Sequence, residues 1–267
     1  MSLVAIVYCR CVEQGKASAP PFSPELLVSD EEGRLTLNLP EGHEKQTLKE
    51  QKHQWEKSCC THLWRHYLNE WVCDWHSVQI LRNALVDLEA NNFPTLSTCL
   101  PFANTGTVSP EESKQALLEL DIFEQYLQRG TYRLAALVSD NGHELCSNGY
   151  HQGRCIYLTD TYEFWVDGSG LKILSHASDK PVFESRHFLQ GYLDSSQKTR
   201  FTDKETAVTF IGEGDLRLHD AQHSEQMPLE LKVEERTCSA DGFDFIIQPL
   251  RKAFQASAEI SRPLIWG

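Results

Sequence analysis

A short stretch near residue 60 carries the sulfur and imidazole groups that bind transition metals. It reads Cys59-Cys60-Thr61-His62-Leu63-Trp64-Arg65-His66. On a helix, Cys59, His62 and His66 share one face, because they are spaced by three and four residues. Thiolate and imidazole are zinc ligands, so these three residues form a candidate metal site. No fourth ligand completes it, since Cys73 lies about 10 Å further along the helix axis.

No complete catalytic motif accompanies this cluster. The chain has neither a GxSxG nucleophile elbow nor an HExxH zinc motif. Gly212-Glu213-Gly214 lacks the third glycine of a phosphate loop and carries an acid where a phosphate would approach. We therefore expect a binding protein without enzymatic activity, bound metal or cofactor. The alternative is a hydrolase or metal-dependent enzyme that uses the Cys/His cluster.

The nine cysteines include no CxxC pair. The opening residues lack the basic leader of a secretion signal, so the cysteines are expected to be reduced thiols in a cytoplasmic protein. Cys9-x-Cys11 follows the apolar run Leu3–Tyr8, which predicts a buried first strand. Alternation along that strand places Cys9 and Cys11 on the same face, which makes them a candidate metal or redox pair.

An acidic and aromatic face is predicted on a later strand. In an extended segment over residues 162–167, Glu163, Trp165 and Asp167 point to one side. If the opposite side is core, Trp165 is exposed between two carboxylates. Such a face suits an interface with a basic protein, in which the aromatic side chain is the anchor.

The charge of the chain points in the same direction. The formal net charge is −13, with 38 acidic and 25 basic residues. Nucleic-acid binding usually needs a basic face, so direct binding of nucleic acid is not expected. An acidic surface steers the approach of a basic partner protein. No apolar run has the length needed to span a membrane.

The segment Ser109-Pro110-Glu111-Glu112 predicts the start of a helix that ends near Gly130. Ser109 and Glu112 form a capping box, and Pro110 occupies the first helical position. Glu111 and Glu112 also favour the positive end of the helix dipole, and they are a second candidate for a partner-binding surface. A calcium loop around Gly106 is excluded, because the preceding residues lack the required oxygen ligands.

The remaining pattern predicts an α+β fold. We expect a helical N-terminal region over residues 1–130, with one or two leading strands, and a mainly antiparallel β-rich region over 131–267; both regions can belong to one composite domain. A long helix is predicted from Glu44 to about Cys73, followed by a helix capped by Asp74 or Ser77. The long helix is predicted from a core-facing stripe of residues at three- and four-residue steps: Trp64, Leu68, Trp71, Trp75 and Val78. A late strand is predicted over residues 242–248, and a closing helix from Pro249.

Two blocks resemble the immunity-type proteins of bacterial polymorphic toxin systems. They read Ser77-Val78-x-x-Leu81-Arg82-x-x-Leu85 and Asn104-x-Gly106-x-x-Ser109-x-Glu111-Glu112. The first strand also resembles that of related small bacterial proteins, whereas Phe102-Ala103 replaces the aspartates frequent in the family loop. The resemblance implies a cytoplasmic protein that binds and neutralises a cognate basic toxin, such as a nuclease.

Overall fold

The computed structural model describes residues 2–39, 45–88, 90–130, 132–178, 180–193, 198–220 and 223–267. It contains α-helices and antiparallel sheets, as the sequence predicts for an α+β fold. Contacts divide the chain into two compact units. The first contains Met1–Arg82, Glu89–Gln125 and Asp241–Gly267, and the second contains Asn83–Leu88 and Tyr126–Ala240. The closing segment therefore packs with the first unit, although the sequence placed it in the β-rich region.

The centre of the first unit is a four-stranded antiparallel sheet with the order β4-β1-β18-β5. Its strands are β1 (Ser2–Tyr8), β4 (His66–Asp74), β5 (Thr107–Val108) and β18 (Leu264–Trp266). A separate hairpin joins β2 (Leu27–Ser29) and β3 (Leu35–Leu37). The first strand is confirmed, and its alternate residues Leu3, Ala5 and Val7 are fully buried.

The described residues contain five α-helices. They are α1 (Lys45–Ser58), α2 (Trp75–Asp87), α3 (Pro94–Cys99), α4 (Pro110–Gln128) and α5 (Asp244–Ile260). Helix α5 packs on β1 and β4 with an apolar stripe that includes Ile246, Leu250 and Phe254. The predicted strand over 242–248 is wrong, because these residues form a 3₁₀ turn and the start of α5.

The long helix predicted up to Cys73 is also wrong. Helix α1 ends at Ser58, and His66–Asp74 forms β4, which pairs with β1 along its whole length. Its predicted start at Glu44 lies outside the described residues. The supposed core stripe fails at Trp71, whose side chain is 60% exposed. Spacings of three and four residues can occur in a strand by chance, and here pairing with a buried neighbour decides the structure.

Two helix starts are confirmed in atomic detail. The Ser109 hydroxyl accepts a hydrogen bond from the Glu112 amide at 3.1 Å, and the Glu112 carboxylate accepts one from the Ser109 amide at 2.8 Å. This is the reciprocal geometry of a capping box. At the start of α2, the Asp74 carboxylate accepts a hydrogen bond from the Ser77 amide at 2.7 Å.

The second unit is built from antiparallel sheets. A four-stranded sheet has the order β11-β10-β9-β8, and a six-stranded sheet has the order β14-β13-β12-β17-β6-β7. The strands of the first are β8 (Arg154–Leu158), β9 (Tyr162–Asp167), β10 (Gly170–Ser175) and β11 (Pro181–Ser185). Those of the second are β6 (Arg133–Ser139), β7 (Glu144–Gly149), β12 (His187–Tyr192), β13 (Lys198–Asp203), β14 (Thr209–Glu213) and β17 (Glu230–Thr237). Strands β15 (Leu218–Asp220) and β16 (His223–Gln226) form a separate pair.

Both large sheets contribute to one hydrophobic core. Phenylalanine side chains dominate it, and their rings meet edge-on or tilted at centroid distances of 5.7–6.2 Å between Phe164, Phe183, Phe188 and Phe201. Buried aromatic side chains contribute strongly to the stability of such a core.

Candidate metal centre

The structure brings together a different set of metal-binding groups from the set that the sequence predicted. Of Cys59, His62 and His66, only His62 belongs to it. Cys59 is buried beside Trp55 under α1, and His66 lies on β4, where its ring meets that of Tyr8 edge-on. The three residues do not share a helix face, because no α-helix covers residues 59–66.

The observed cluster contains three thiols and one imidazole, from Cys9, Cys11, Cys60 and His62. The four potential ligand atoms all lie within 4.8 Å of one another. Cys9 and Cys11 are buried, whereas Cys60 and His62 are half-buried. The site therefore combines two half-sites, each made of two ligands separated by one residue.

The first half-site lies where β1 ends and the chain turns. Cys9 follows the strand directly, and its amide donates a hydrogen bond to the Arg65 carbonyl at 2.7 Å. The chain then reverses direction in a turn, in which the Lys16 amide donates a hydrogen bond to the Cys11 carbonyl at 2.8 Å. Gly15 has φ 65°, a conformation that glycine adopts without steric cost.

The second half-site lies between α1 and β4. The Cys59 carbonyl accepts a hydrogen bond from the Ser18 amide at 2.7 Å, which fixes the segment beside the first half-site. After His62 the chain makes a 3₁₀ turn in which Trp64 and Arg65 have φ values of 56° and 60°. Each non-glycine residue in this region costs roughly 1 kcal/mol or more, so the surrounding structure must hold the turn.

Three separations between the ligand atoms are close to those of a tetrahedral zinc site. Two sulfurs bound to zinc at 2.3 Å with tetrahedral angles lie about 3.8 Å apart, and a sulfur and a nitrogen lie about 3.6 Å apart. The Sγ atoms of Cys9 and Cys60 are separated by 3.7 Å. The Nδ1 atom of His62 is 3.3 Å from the Cys11 sulfur and 3.9 Å from the Cys60 sulfur. Binding of an ion thus needs only small adjustments.

Protonation of the thiols opposes metal binding to different degrees. Burial raises the pKa of the Cys9 thiol to about 12, and it also raises the pKa of Cys11. Burial acts in the same direction on Cys60, but a backbone hydrogen bond at His62 and contacts with neighbouring thiols outweigh it and lower the pKa. Because a metal binds the thiolate, the affinity of the site must fall as the pH falls.

The cluster opens onto a cleft of about 500 Å³ in the first unit. Besides the four ligands, its walls include Arg10, Lys16, Thr61, Tyr67 and Glu259. Cys60 and His62 are therefore reachable from solvent on one side. The Tyr67 hydroxyl donates a hydrogen bond to Glu259 at 3.0 Å, which raises the pKa of the tyrosine.

The hydrophobic core beneath the cluster is small. Its buried members are Leu35, Trp55 and Cys59, with a few partly buried neighbours that include Cys60. The Trp55 indole N–H donates to the Ser18 carbonyl at 3.0 Å and ties α1 to the turn after the first half-site. Segments with so little buried apolar area are commonly stabilised by a metal or a disulfide.

The predicted partner-binding face on β9 is only partly as expected. Phe164 and Val166 are fully buried, so the alternation is confirmed, but Trp165 is half-buried. Its indole N–H donates to Glu163 at 2.8 Å. Burial alone would raise the pKa of Asp167, but hydrogen bonds from Lys172 and Ser169 outweigh it and lower the pKa.

The acidic pair at the start of α4 is divided between two environments. Glu112 is engaged in the capping box, and the hydrogen bond from the Ser109 backbone lowers its pKa. Glu111 is exposed in the first turn. The carboxylate of Glu111, unlike that of Glu112, is not part of the capping box.

The sequence contained a signal for the observed cluster that the helix prediction concealed. The spacing Cys9-x-Cys11 predicts a pair on one face, and Cys60-x-His62 has the same spacing within the segment predicted to be a helix. In extended chain this spacing also brings two side chains to one side. Two such pairs in one chain predict a four-ligand site, provided that the fold brings them together.

Comparison of the chain with protein-family models, curated proteins and solved structures finds no match. The resemblance to immunity-type proteins therefore stays a prediction. Within the part of the chain that the structure describes, no helix combines the length and apolar composition needed to cross a bilayer.

Proposed function

We propose that this protein binds one zinc ion through Cys9, Cys11, Cys60 and His62. The observation that carries the proposal is the convergence of four ligand atoms, all within 4.8 Å of one another, from two segments 51 positions apart. The sequence predicts no bound metal, because the expected helix presents three ligands and places Cys73 too far away to be the fourth. In the structure, the strand end and the loop supply four.

The donor set favours zinc over other common ions. Calcium and magnesium prefer oxygen ligands, whereas thiolate and imidazole suit zinc. Three cysteines and one histidine form a recurrent tetrahedral combination. Because all four positions are filled by the protein, the site has the composition of a structural centre; a catalytic zinc usually keeps one position for water or substrate.

In this role the ion fastens the end of β1 to the loop after α1. It crosslinks two segments that share a small hydrophobic core and a turn with two left-handed residues. The free energy of metal binding then becomes folding free energy of that region. Only the 3₁₀ turn Leu63–Arg65 separates the second ligand pair from β4, so the ion also helps to fix where that strand begins.

Metal reconstitution of the reduced chain tests this proposal. Metal-free protein is titrated with Co²⁺, which reports tetrahedral thiolate ligation through its d–d and charge-transfer absorption, and then with Zn²⁺ in competition with a chromogenic chelator. We expect one ion per chain and a dissociation constant in the nanomolar range or below, about −12 kcal/mol. Cobalt spectra of octahedral form, or no saturable binding, would reject the proposal.

Two neighbouring cysteines provide a matched control. Cys60→Ser removes a ligand in the observed cluster, whereas Cys59→Ser changes a buried thiol that belongs only to the set predicted from the helix. We expect Cys60→Ser to abolish tetrahedral cobalt absorption and Cys59→Ser to retain it. The reverse result would restore the predicted set of Cys59, His62 and His66.

As a second candidate function we propose binding of a basic partner protein, as in a toxin inhibitor. The net charge of −13 supports it, and so does the hydrogen bond that joins Trp165 and Glu163 into one surface group. In this proposal Trp165 is the anchor, and Glu163 and Asp167 steer the approach. The exposed Glu111 at the start of α4 is the next candidate surface.

Co-expression with the product of the neighbouring reading frame, followed by a pull-down, tests this second candidate. Trp165→Ala should shorten the residence time of the complex, while removal of both acids should slow association and flatten its salt dependence. Leu189→Ala, at an exposed position on β12 of the six-stranded sheet, is the control and should change neither rate. Unchanged rates in Trp165→Ala would exclude this face as the interface.

A further inference from the structure

The cleft beside the cluster exposes the zinc-binding groups unequally, which has consequences for their chemistry. Cys9 is 1% exposed and Cys11 is 7% exposed, whereas Cys60 and His62 are half-buried at the cleft wall. A small solute entering the cleft therefore meets the Cys60 sulfur first. The Cys9 sulfur lies 3.7 Å behind it.

Two other thiols lie near Cys60. The Cys11 sulfur is within 4.8 Å of the Cys60 sulfur, and it contacts the His62 ring more closely, at 3.3 Å. The Cys59 thiol is buried and directed toward the Glu56 carbonyl, and a bond to it would close a strained ring between adjacent residues. The Cys9 sulfur is in direct contact with the Cys60 sulfur at 3.7 Å, so Cys9 is the resolving thiol that the geometry favours.

We propose that the centre is redox-regulated: hydrogen peroxide joins Cys60 and Cys9 in a disulfide and thereby releases the zinc ion. The proposal rests on the zinc binding proposed above. Oxidation removes two of three thiolate ligands, and the remaining Cys11 and His62 cannot hold the ion tightly. All nine cysteines are free thiols in the structure, so the reduced state is the one described.

The reaction is a two-electron oxidation in two steps. The Cys60 thiolate attacks one peroxide oxygen, the O–O bond breaks, and a sulfenic acid and hydroxide form. The Cys9 thiolate then attacks the sulfenic sulfur, which forms the S–S bond and expels a second hydroxide. Two protons convert the hydroxides to water. Both sulfurs are oxidised, the peroxide is reduced, and zinc leaves without a change of charge.

The disulfide would replace one crosslink by another. It joins the same two segments as the ion does, at residues 51 positions apart, and such a closed loop stabilises mainly by restricting the unfolded chain. Because the sulfurs are already in contact, the bond requires a short approach rather than a rearrangement. We therefore expect zinc release without unfolding of the first unit.

Zinc-loaded protein is treated with hydrogen peroxide in the presence of a chromogenic zinc indicator, and its disulfides are mapped by mass spectrometry. We expect release of one zinc ion per chain, a Cys9–Cys60 disulfide, an unchanged circular-dichroism spectrum, and recovery after reduction with added zinc. Retention of zinc under peroxide, or a sulfinic acid at Cys60 in place of the disulfide, would overturn the proposal.

Three variants and one prior measurement keep the outcomes distinguishable. Cys11→Ser should still form the disulfide in its metal-free form, whereas Cys9→Ser should not, and Cys155→Ser in the second unit should behave as the wild type. A Cys9–Cys11 or Cys11–Cys60 disulfide in the wild type would contradict the assignment. Absence of zinc in the reconstituted protein before oxidation would instead reject the proposed function itself.

Discussion

The Sγ atom of Cys9 lies 3.7 Å from that of Cys60, although 51 positions separate the two residues. Backbone hydrogen bonds from Cys9 to Arg65 and from Ser18 to Cys59, both of 2.7 Å, flank this contact. The two segments are therefore aligned by the fold as well as by their side chains. An ion bound here adds ligand bonds to a site that the backbone has already arranged.

Removal of zinc should destabilise the first unit. A ligand that binds only the folded state adds about 2.7 kcal/mol when its free concentration is about 100 times the dissociation constant. We therefore expect a strong chelator to lower the thermal midpoint and to increase hydrogen exchange in residues 59–65. The His62→Asn variant should show no response to the chelator. An unchanged midpoint in the stoichiometrically loaded wild type would contradict a structural role for the ion.

Local sequence patterns predicted the features that depend on neighbouring residues. The capping box of Ser109 and Glu112 needs only two residues three positions apart, and the first strand needs only an apolar run. The secondary structure of residues 59–74 depends on a strand that is distant in sequence. Strand β4 forms because β1 offers a buried edge with which it pairs. A helical spacing in the isolated segment carries no information about that edge.

The candidate metal centre likewise depends on contacts between distant segments, which local sequence patterns do not reveal. Each half-site is visible as a pair of ligands with one intervening residue, but the sequence does not state which pairs meet. That information lies in the pairing of Tyr8 with His66 and in the backbone bond from Cys9 to Arg65. Once β4 is recognised as a strand that pairs with β1, Cys60 and His62 lie shortly before its first residue and close to the end of β1. The four ligands are then close together.

Loss of the capping box should weaken α4 measurably. Ser109→Ala removes the hydroxyl that accepts from the Glu112 amide, and an N-cap of this kind contributes about 1 kcal/mol. We expect a decrease of that size in the free energy of unfolding, measured by denaturant titration. Ser109→Asp retains a capping acceptor and should stay close to the wild type. An equal loss in both variants would show that the cap is not the cause.

Gly170 at the start of β10 should not tolerate a side chain. Its φ is 140°, and a Cβ atom would lie 2.4 Å from the Ser185 carbonyl oxygen on β11. Since that oxygen belongs to the backbone, relief requires movement of the strand, and Gly170→Ala should cost about 2 kcal/mol or more. Gly191→Ala on β12 is the control, because nothing lies within 4 Å of its Cβ, and its effect should stay within about 0.5 kcal/mol. Comparable losses in the two variants would refute the steric explanation.

Asp203 should make the second unit sensitive to acid. Its carboxylate accepts hydrogen bonds from the Ser185 hydroxyl, from the Thr206 amide at 2.6 Å and from the Thr206 hydroxyl at 2.7 Å. These bonds lower the pKa of Asp203 from 3.8 to about 2. The folded state therefore favours the ionised form, and the stabilisation is present above pH 4 and is lost as the pH falls toward 2. A shift of this size corresponds to about 2 kcal/mol.

The Asp203→Asn variant isolates this contribution from other carboxylates whose pKa is lowered in the fold, among them Asp167, Asp215 and Glu230. Those groups titrate equally in both proteins, so the difference between wild type and variant reports Asp203 alone. Denaturant unfolding at several pH values should show a gap of about 2 kcal/mol at neutral pH that narrows steadily between about pH 4 and 2. A gap that stays constant across this range would mean that the carboxylate acts through its shape and not through its charge.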